Sequence, residues 1–201
     1  MTTLLVATNN RGKLAELQEL LSDLPLTLVT LQDVGIDFIV DETGHTFVEN
    51  AILKAEAYAK ASGLWTLADD SGLEVDALGG SPGVYTARYG APEAKTDQDR
   101  YSLLLWNMAG VPWDRRTARF HASVAIAHTG QPTQTFDGIL EGFIAFVPRG
   151  SGGFGYDPVF YVPEHGCHLA ELPPDVKNAI SHRGRAVAAA RPALARIADG
   201  G

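Results

Sequence analysis

A single cysteine, Cys167, stands among 201 residues, so the chain can form neither an internal disulfide nor a Cys-x-x-Cys pair for metal or redox chemistry. Folding does not depend on an oxidising compartment, and a cytoplasmic location is expected. Basic residues are also few: 16 Lys and Arg face 24 Asp and Glu, a formal charge of −8 at pH 7. They are scattered rather than clustered, which argues against polymer nucleic acid as a partner, because phosphate backbones are held by converging Lys and Arg. A small anionic substrate stays open wherever a few cations meet. No stretch approaches the roughly 18 consecutive apolar residues of a spanning helix, and Met1 to Thr8 lacks the basic and apolar regions of a signal peptide. The expectation is a soluble chain with no membrane partner. Repeats, low-complexity tracts and linkers are missing too, and the length with 45% hydrophobic residues fits one domain over 1–201.

What is present begins with a strand-loop-helix unit. Leu4 to Ala7 reads as a short buried strand, and Asn10 as the cap of a helix whose Leu14, Leu17, Leu20, Leu21 and Leu24 recur at helical spacing. Leu26 to Leu31 is a second strand. Thr46-Phe47-Val48-Glu49 is a capping box opening a helix that Gly63 closes, with Glu56 and Lys60 as an i, i+4 pair. Trp65 to Ala68 is a strand running into Asp69 and Asp70, and Gly79 to Gly83 a turn. Thr96 to Asp99 starts another helix, ended by Gly110. Ala118 to Thr129 and Thr133 to Phe146 form a long hairpin about Gly130-Gln131-Pro132. Val159 to Val162 is a short strand, and Gly184 to Ala198 a helix with a kink or break expected at Pro192. The class is α/β with a mixed sheet.

Five segments carry candidate chemistry. Thr8-Asn9-Asn10-Arg11-Gly12-Lys13 puts hydroxyl, amide and ammonium donors where a strand meets a helix N-terminus, whose free amides and positive dipole end attract phosphate; an N-capped helix with a solvated Lys is the plainer alternative. Asp69 and Asp70, with Asp41-Glu42 in a separate loop, are carboxylates able to hold Mg2+ against substrate phosphates, or else solvated acidic loops. Gly150, Gly152, Gly153 and Gly155 match G-x-G-x-x-G in spacing, but they run through Tyr156-Asp157-Pro158 into a strand, so a dinucleotide fingerprint is rejected. These glycines let backbone approach a ligand and leave Phe154 or Tyr156 free to stack on it; a surface turn with core aromatics is the alternative. With Ser181-His182-Arg183 as clustered donors, the set suits a flat, oxygen-rich ligand such as a purine. His165, Cys167 and His168 are too compact for a tetrahedral metal set and read as a loop surface. Ser71 lacks the G-x-S-x-G elbow of a nucleophilic serine.

Five ordered motifs then resemble one family, the HAM1-like inosine triphosphatases or dITP/XTP pyrophosphatases. They are Ala7-Thr8-Asn9-Asn10 with Lys13; Thr46-Phe47-Val48-Glu49-Asn50-Ala51 with Lys54; Ala68-Asp69-Asp70-Ser71-Gly72-Leu73; Gly152 to Pro158; and Lys177 with Ser181-His182-Arg183-Gly184. The resemblance implies an elongated central mixed sheet flanked by helices, two lobes with a substrate cleft between them, and a homodimer. It implies Asp70 as catalytic base and metal-linked carboxylate, Glu42 as the other acid at a Mg2+ site, and Thr8, Asn9, Asn10, Arg11, Gly12 and Lys13 as the triphosphate loop. Lys54, Ser71 and Lys177 match substrate-contacting positions; Phe154, Gly155, Tyr156 and Asp157 with His182 and Arg183 match the base and sugar pocket. Asn9 departs from the pattern, since many relatives have Gly there, and Asp41 beside Glu42 leaves open which carboxylate reaches the metal. The implied activity is hydrolysis of ITP, dITP and XTP to monophosphate and pyrophosphate. A related pyrophosphatase for modified pyrimidine or methylated nucleotides, and a sensor that binds without cleaving, are the competing readings.

Overall fold

Residues 1–200 are described by a computed structural model. Its first strand, β1 (Thr2–Val6), sends Leu4 and Val6 into one core cluster while Leu5 and the following Ala7 enter another. A strand alternates in this way when both faces of its sheet are covered. β1 lies parallel to β2 (Leu26–Thr30) and to β3 (Trp65–Val75). Parallel neighbours require crossovers, and α1 (Arg11–Leu20) and α2 (Phe47–Ser62) supply them. Leu17 joins Leu4 and Val6 with residues of α5 (His182–Ala198), whereas Ala51, Ala55, Tyr58 and Ala59 of α2 join Leu5 and Ala7. Each fully buried Leu contributes about 1.5–3 kcal/mol.

Four further strands complete a seven-stranded sheet in the order β2-β1-β3-β4-β5-β6-β7: β4 (Thr117–Ala127), β5 (Gln134–Ile144), β6 (Phe160–Val162) and β7 (Cys167–His168). The β5–β6 and β6–β7 pairs are antiparallel, so the sheet is mixed, as the sequence implies. The chain divides into two compact units, the first 1–70, 122–138 and 182–200, the second 71–121 and 139–181. The second has its own core, in which Leu104 and Met108 of and beside α3 (Asp97–Asn107) join Leu73, Phe120, Ile144 and Phe160. There buried Arg116 gives its guanidinium to the carbonyls of Ile144, Met108, Val111 and Ala145. α4 (Pro174–Ile180) also belongs to this unit.

The helix starts obey local chemistry. Asn10 accepts the Lys13 amide, and Thr46 with Glu49 and Thr96 with Asp99 form reciprocal capping boxes. Gly63 closes α2 at φ 70°, the left-handed region that only glycine enters freely. Thr46→Ala removes the acceptor for the Glu49 amide and is expected to cost about 1 kcal/mol. Thermal unfolding checks this, with a fall in Tm of about 2–4 °C expected for a chain of this size.

Several sequence expectations need correction. β3 does not stop at Ala68 but continues through Asp69, Asp70, Ser71 and Gly72 to Val75, because long-range cations compensate the buried carboxylates. Glu56 accepts the Thr133 hydroxyl at 2.6 Å, a tertiary partner, where an i, i+4 pair with Lys60 was expected. α5 begins at His182 and runs unbroken through Pro192. Pro192 and Ala188 lie on its exposed side, where water can satisfy a carbonyl that loses its helical donor. Cys167 and His168 form a strand rather than a surface loop, with His168 buried and its Nδ1 2.6 Å from the Pro158 carbonyl.

Candidate active site

β3 carries Asp69 and Asp70 through the first unit, and adjacent strand residues point to opposite faces. Both carboxylates are buried, so each must find a cation on its own side. On the α1 and α5 side, Asp69 Oδ2 lies 2.7 Å from Lys13 Nζ and 3.3 Å from the Arg183 guanidinium. Arg183 also pairs with Glu16 of α1. On the α2 side, Asp70 Oδ1 lies 3.0 Å from Lys54 Nζ, which is also 2.7 Å from Glu42 Oε1 and 2.9 Å from the Asp69 carbonyl. Glu42 therefore reaches the cluster, while Asp41 beside it is exposed.

Burial and charge oppose one another across this cluster. Burial disfavours ionised Asp69, but Arg183 and Lys13 outweigh it and hold the carboxyl far below the ordinary carboxylate range. Asp70 goes the other way: burial raises its pKa, although Lys54 and Lys13 pull it down. Burial lowers the Lys13 pKa against the attraction of Asp69. It also works against the Lys54 charge, but Asp70 and Glu42 prevail and raise that pKa. The two aspartates are thus separated in character, one locked as an anion and one with raised proton affinity, the property wanted in a base.

In the turn before α1, the Thr8 hydroxyl and the Asn10 side-chain oxygen accept backbone amides, Asn10 as the helix cap. The Asn10 amide bonds to Thr8 Oγ1 at 3.1 Å and the Lys13 amide to Asn10 Oδ1 at 3.1 Å. Asn9, Asn10 and Arg11 are exposed, with Gly12 in the first turn of the helix. Asn9 needs no left-handed backbone, since among the described residues no residue other than glycine has positive φ.

In the second unit, Lys177 of α4 lies 2.6 Å from Asp157 Oδ2, both buried, and the same oxygen accepts the Phe154 amide at 2.9 Å. Lys177 Nζ sits 5.1 Å from the centre of the half-buried Phe154 ring, within cation-π range. A Cβ at Gly153 would collide with Asp157 Oδ2 and Lys177 Nζ, and its φ of 71° would strain another residue independently. The Gly155 amide donates to Asp97 Oδ2 at 2.8 Å. Tyr156 is not a free stacking platform: it is 2% exposed, belongs to the core, and donates its hydroxyl to the Thr86 carbonyl at 3.0 Å. Ser71 is half-buried in β3.

The first unit thus gathers Lys13, Glu42, Lys54, Asp69, Asp70 and Arg183, and the second gathers Phe154, Asp157 and Lys177. His182 and Arg183 are both buried at the start of α5, and Arg183 is engaged with two carboxylates. The sequence assigns no role to Glu16, which holds Arg183, or to Asn50, which holds the Gly44 amide. Glu16 leaves no local signal, since its partner lies 167 residues away. Asn50 leaves one: it is polar on the α2 face otherwise made by Phe47, Ala51, Ala55 and Tyr58. Among the described residues no group of three or more His, Cys, Asp and Glu side chains forms a metal cage.

Fold and charged cluster define an α/β protein with carboxylates and lysines gathered beside a helix N-terminus. Residues 4–193 match the Ham1 family, and the chain belongs to that family. It is 51% identical over 188 residues to the dITP/XTP pyrophosphatase of Geobacter sulfurreducens, covering 94% of each chain. Against the dITP/XTP pyrophosphatase of Escherichia coli strain K12 it is 50% identical over 189 residues, covering 93% of this chain and 95% of the other. The solved HAM1 protein of Coxiella burnetii superposes with TM-score 0.86 at 42% identity over the whole of both chains.

Proposed function

We propose that the protein is a nucleoside triphosphate pyrophosphatase that converts ITP, dITP and XTP to the monophosphate and pyrophosphate, with Mg2+ as cofactor. The observation that carries this reading is the Lys54 ammonium seated between Glu42 and Asp70, in the same charged cluster as Lys13 at the start of α1. The activity named for relatives of about half identity supports the substrate class. Glu42 and Asp70 offer hard oxygen donors that already converge on one positive charge, and Mg2+ typically takes one or two carboxylates with water and substrate phosphates. Bound there, it would supply charge stabilisation to the phosphoryl oxygens.

Asp70 takes a proton from the water that attacks the α-phosphorus. The new oxygen–phosphorus bond forms as the bond from the α-phosphorus to the bridging oxygen breaks, and pyrophosphate leaves with that electron pair. Lys13, Lys54 and the amides at the start of α1 offset negative charge on the polyphosphate, so positioning and electrostatics suffice without a covalent intermediate. The same reading includes a homodimer, the commonest soluble assembly, and a cytoplasmic location.

Hydrolysis of ITP in 18O-labelled water with Mg2+ is expected to place the label in the monophosphate. Label in pyrophosphate, or release of orthophosphate and a diphosphate, would overturn the mechanism. A panel of ITP, XTP, ATP, dUTP and 5-methyl-UTP tests the substrate class. Preference for the pyrimidines would move the protein to another pyrophosphatase specificity, and binding without turnover would make it a sensor.

A further inference from the structure

Asn50 is fully buried in the first turn of α2, and a buried primary amide is costly unless hydrogen-bonded. Its Oδ1 accepts the Gly44 amide at 2.8 Å, and its Nδ2 has no hydrogen-bond partner. Among the described residues, the bond to Gly44 is the hydrogen bond this side chain makes. Gly44 is itself seated against the helix: an added Cβ would lie 2.7 Å from Asn50 Oδ1 and 2.7 Å from Glu49 Cβ. The next two amides, of His45 and Thr46, donate to Glu49 Oε2 at 2.6 and 3.1 Å. Three successive amides are thus fastened to the first turn of α2. Two residues before them stands Glu42, which reaches Lys54, one turn beyond Asn50 on the same helix, at 2.7 Å.

We propose that Asn50 is a positioning residue for Glu42: by holding the Gly44 amide it fixes the backbone from which Glu42 reaches Lys54 and the divalent cation. The inference rests on the reading above, in which Glu42 helps to hold that cation. Capping alone does not account for Asn50, because Thr46 and Glu49 already form the capping box. The bond joins the loop rather than the helix backbone, and acts two residues from the carboxylate.

The test uses two variants on either side of the bond. Asn50→Leu removes the acceptor while keeping the branched four-atom shape, and Gly44→Ala forces the loop off the helix while leaving the α2 core untouched. Each is expected to speed hydrogen exchange in a peptide spanning 40–47 and to weaken Mn2+ binding to the nucleotide-free protein, followed by electron paramagnetic resonance, by about tenfold, as loss of an orienting partner does. The Mg2+ concentration for half-maximal ITP hydrolysis should rise in step, with kcat at saturating Mg2+ nearly retained. Wild-type cation affinity in both variants, or unchanged exchange, overturns the proposal. So does loss of folding in both, which would make Asn50 a stability residue. A wild-type enzyme that hydrolyses ITP without any divalent cation would instead sink the metal reading, and the exchange measurement would still report whether Asn50 orders the loop.

Discussion

Asp70→Asn is expected to lower kcat for ITP by roughly 10² to 10⁴-fold, the contribution of a positioned general base, while the protein stays folded. The substitution keeps shape and removes proton affinity. Folding should survive because burial already opposes the charge on Asp70, and because Lys54 retains Glu42 at 2.7 Å and the Asp69 carbonyl at 2.9 Å. Asp69→Asn is the informative partner experiment. Asp69 is locked as an anion by Arg183 and Lys13, so its proton affinity is too low for a base, and its loss should appear first as reduced stability. The measurement is kcat at saturating ITP and Mg2+, beside thermal unfolding of each variant. Near-normal turnover in Asp70→Asn with a folded but inactive Asp69→Asn would reverse the two assignments.

The contrast between these neighbours, Asp69 held as an anion and Asp70 with its pKa raised, has no local signal in the chain, and the reason is physical. Local features were legible: capping by Asn10, Thr46 and Thr96, and the left-handed Gly63, depend on groups within a few residues of one another. The α/β class and mixed sheet follow equally from strand and helix periodicity. A buried carboxylate is decided by partners far away in sequence, and Asp69 is separated from Arg183 by 114 residues. Ending β3 at Ala68 was therefore the natural error, since two acids in a row read as a loop until their cations are known. Tyr156 misled in the opposite direction. Glycines on either side suggested an exposed ring, but Gly155 at φ 63° turns the chain so that the ring enters the second unit's core. The resemblance points to Asp70 and Glu42, and only the geometry separates Glu42 on Lys54 from exposed Asp41.

Arg183→Ala is expected to destabilise the protein by about 3–5 kcal/mol, the usual effect of removing one partner from a buried ion pair. Arg183 is 1% exposed and bridges Asp69 of β3 to Glu16 of α1. Alanine would leave Glu16 without this partner and Asp69 with Lys13 as its nearest cation. In a chain of 201 residues each kcal/mol moves Tm by about 2–4 °C, so a fall of roughly 6–20 °C should be seen. Arg183→Lys keeps one charge but not the planar fork that meets two carboxylates, and should fall in between. A double variant, Arg183→Met with Glu16→Gln, removes the anion that loses this partner while Asp69 keeps Lys13 at 2.7 Å, and should recover part of the loss. This separates a structural strut from a residue that reads the purine base, the role implied by its place in the Ser181-His182-Arg183 motif. A strut lowers Tm with turnover of ITP and ATP changing together below the melting range. Wild-type Tm in Arg183→Ala, with ITP turnover lost and ATP turnover unchanged, would return Arg183 to base recognition and remove it from the framework of the site.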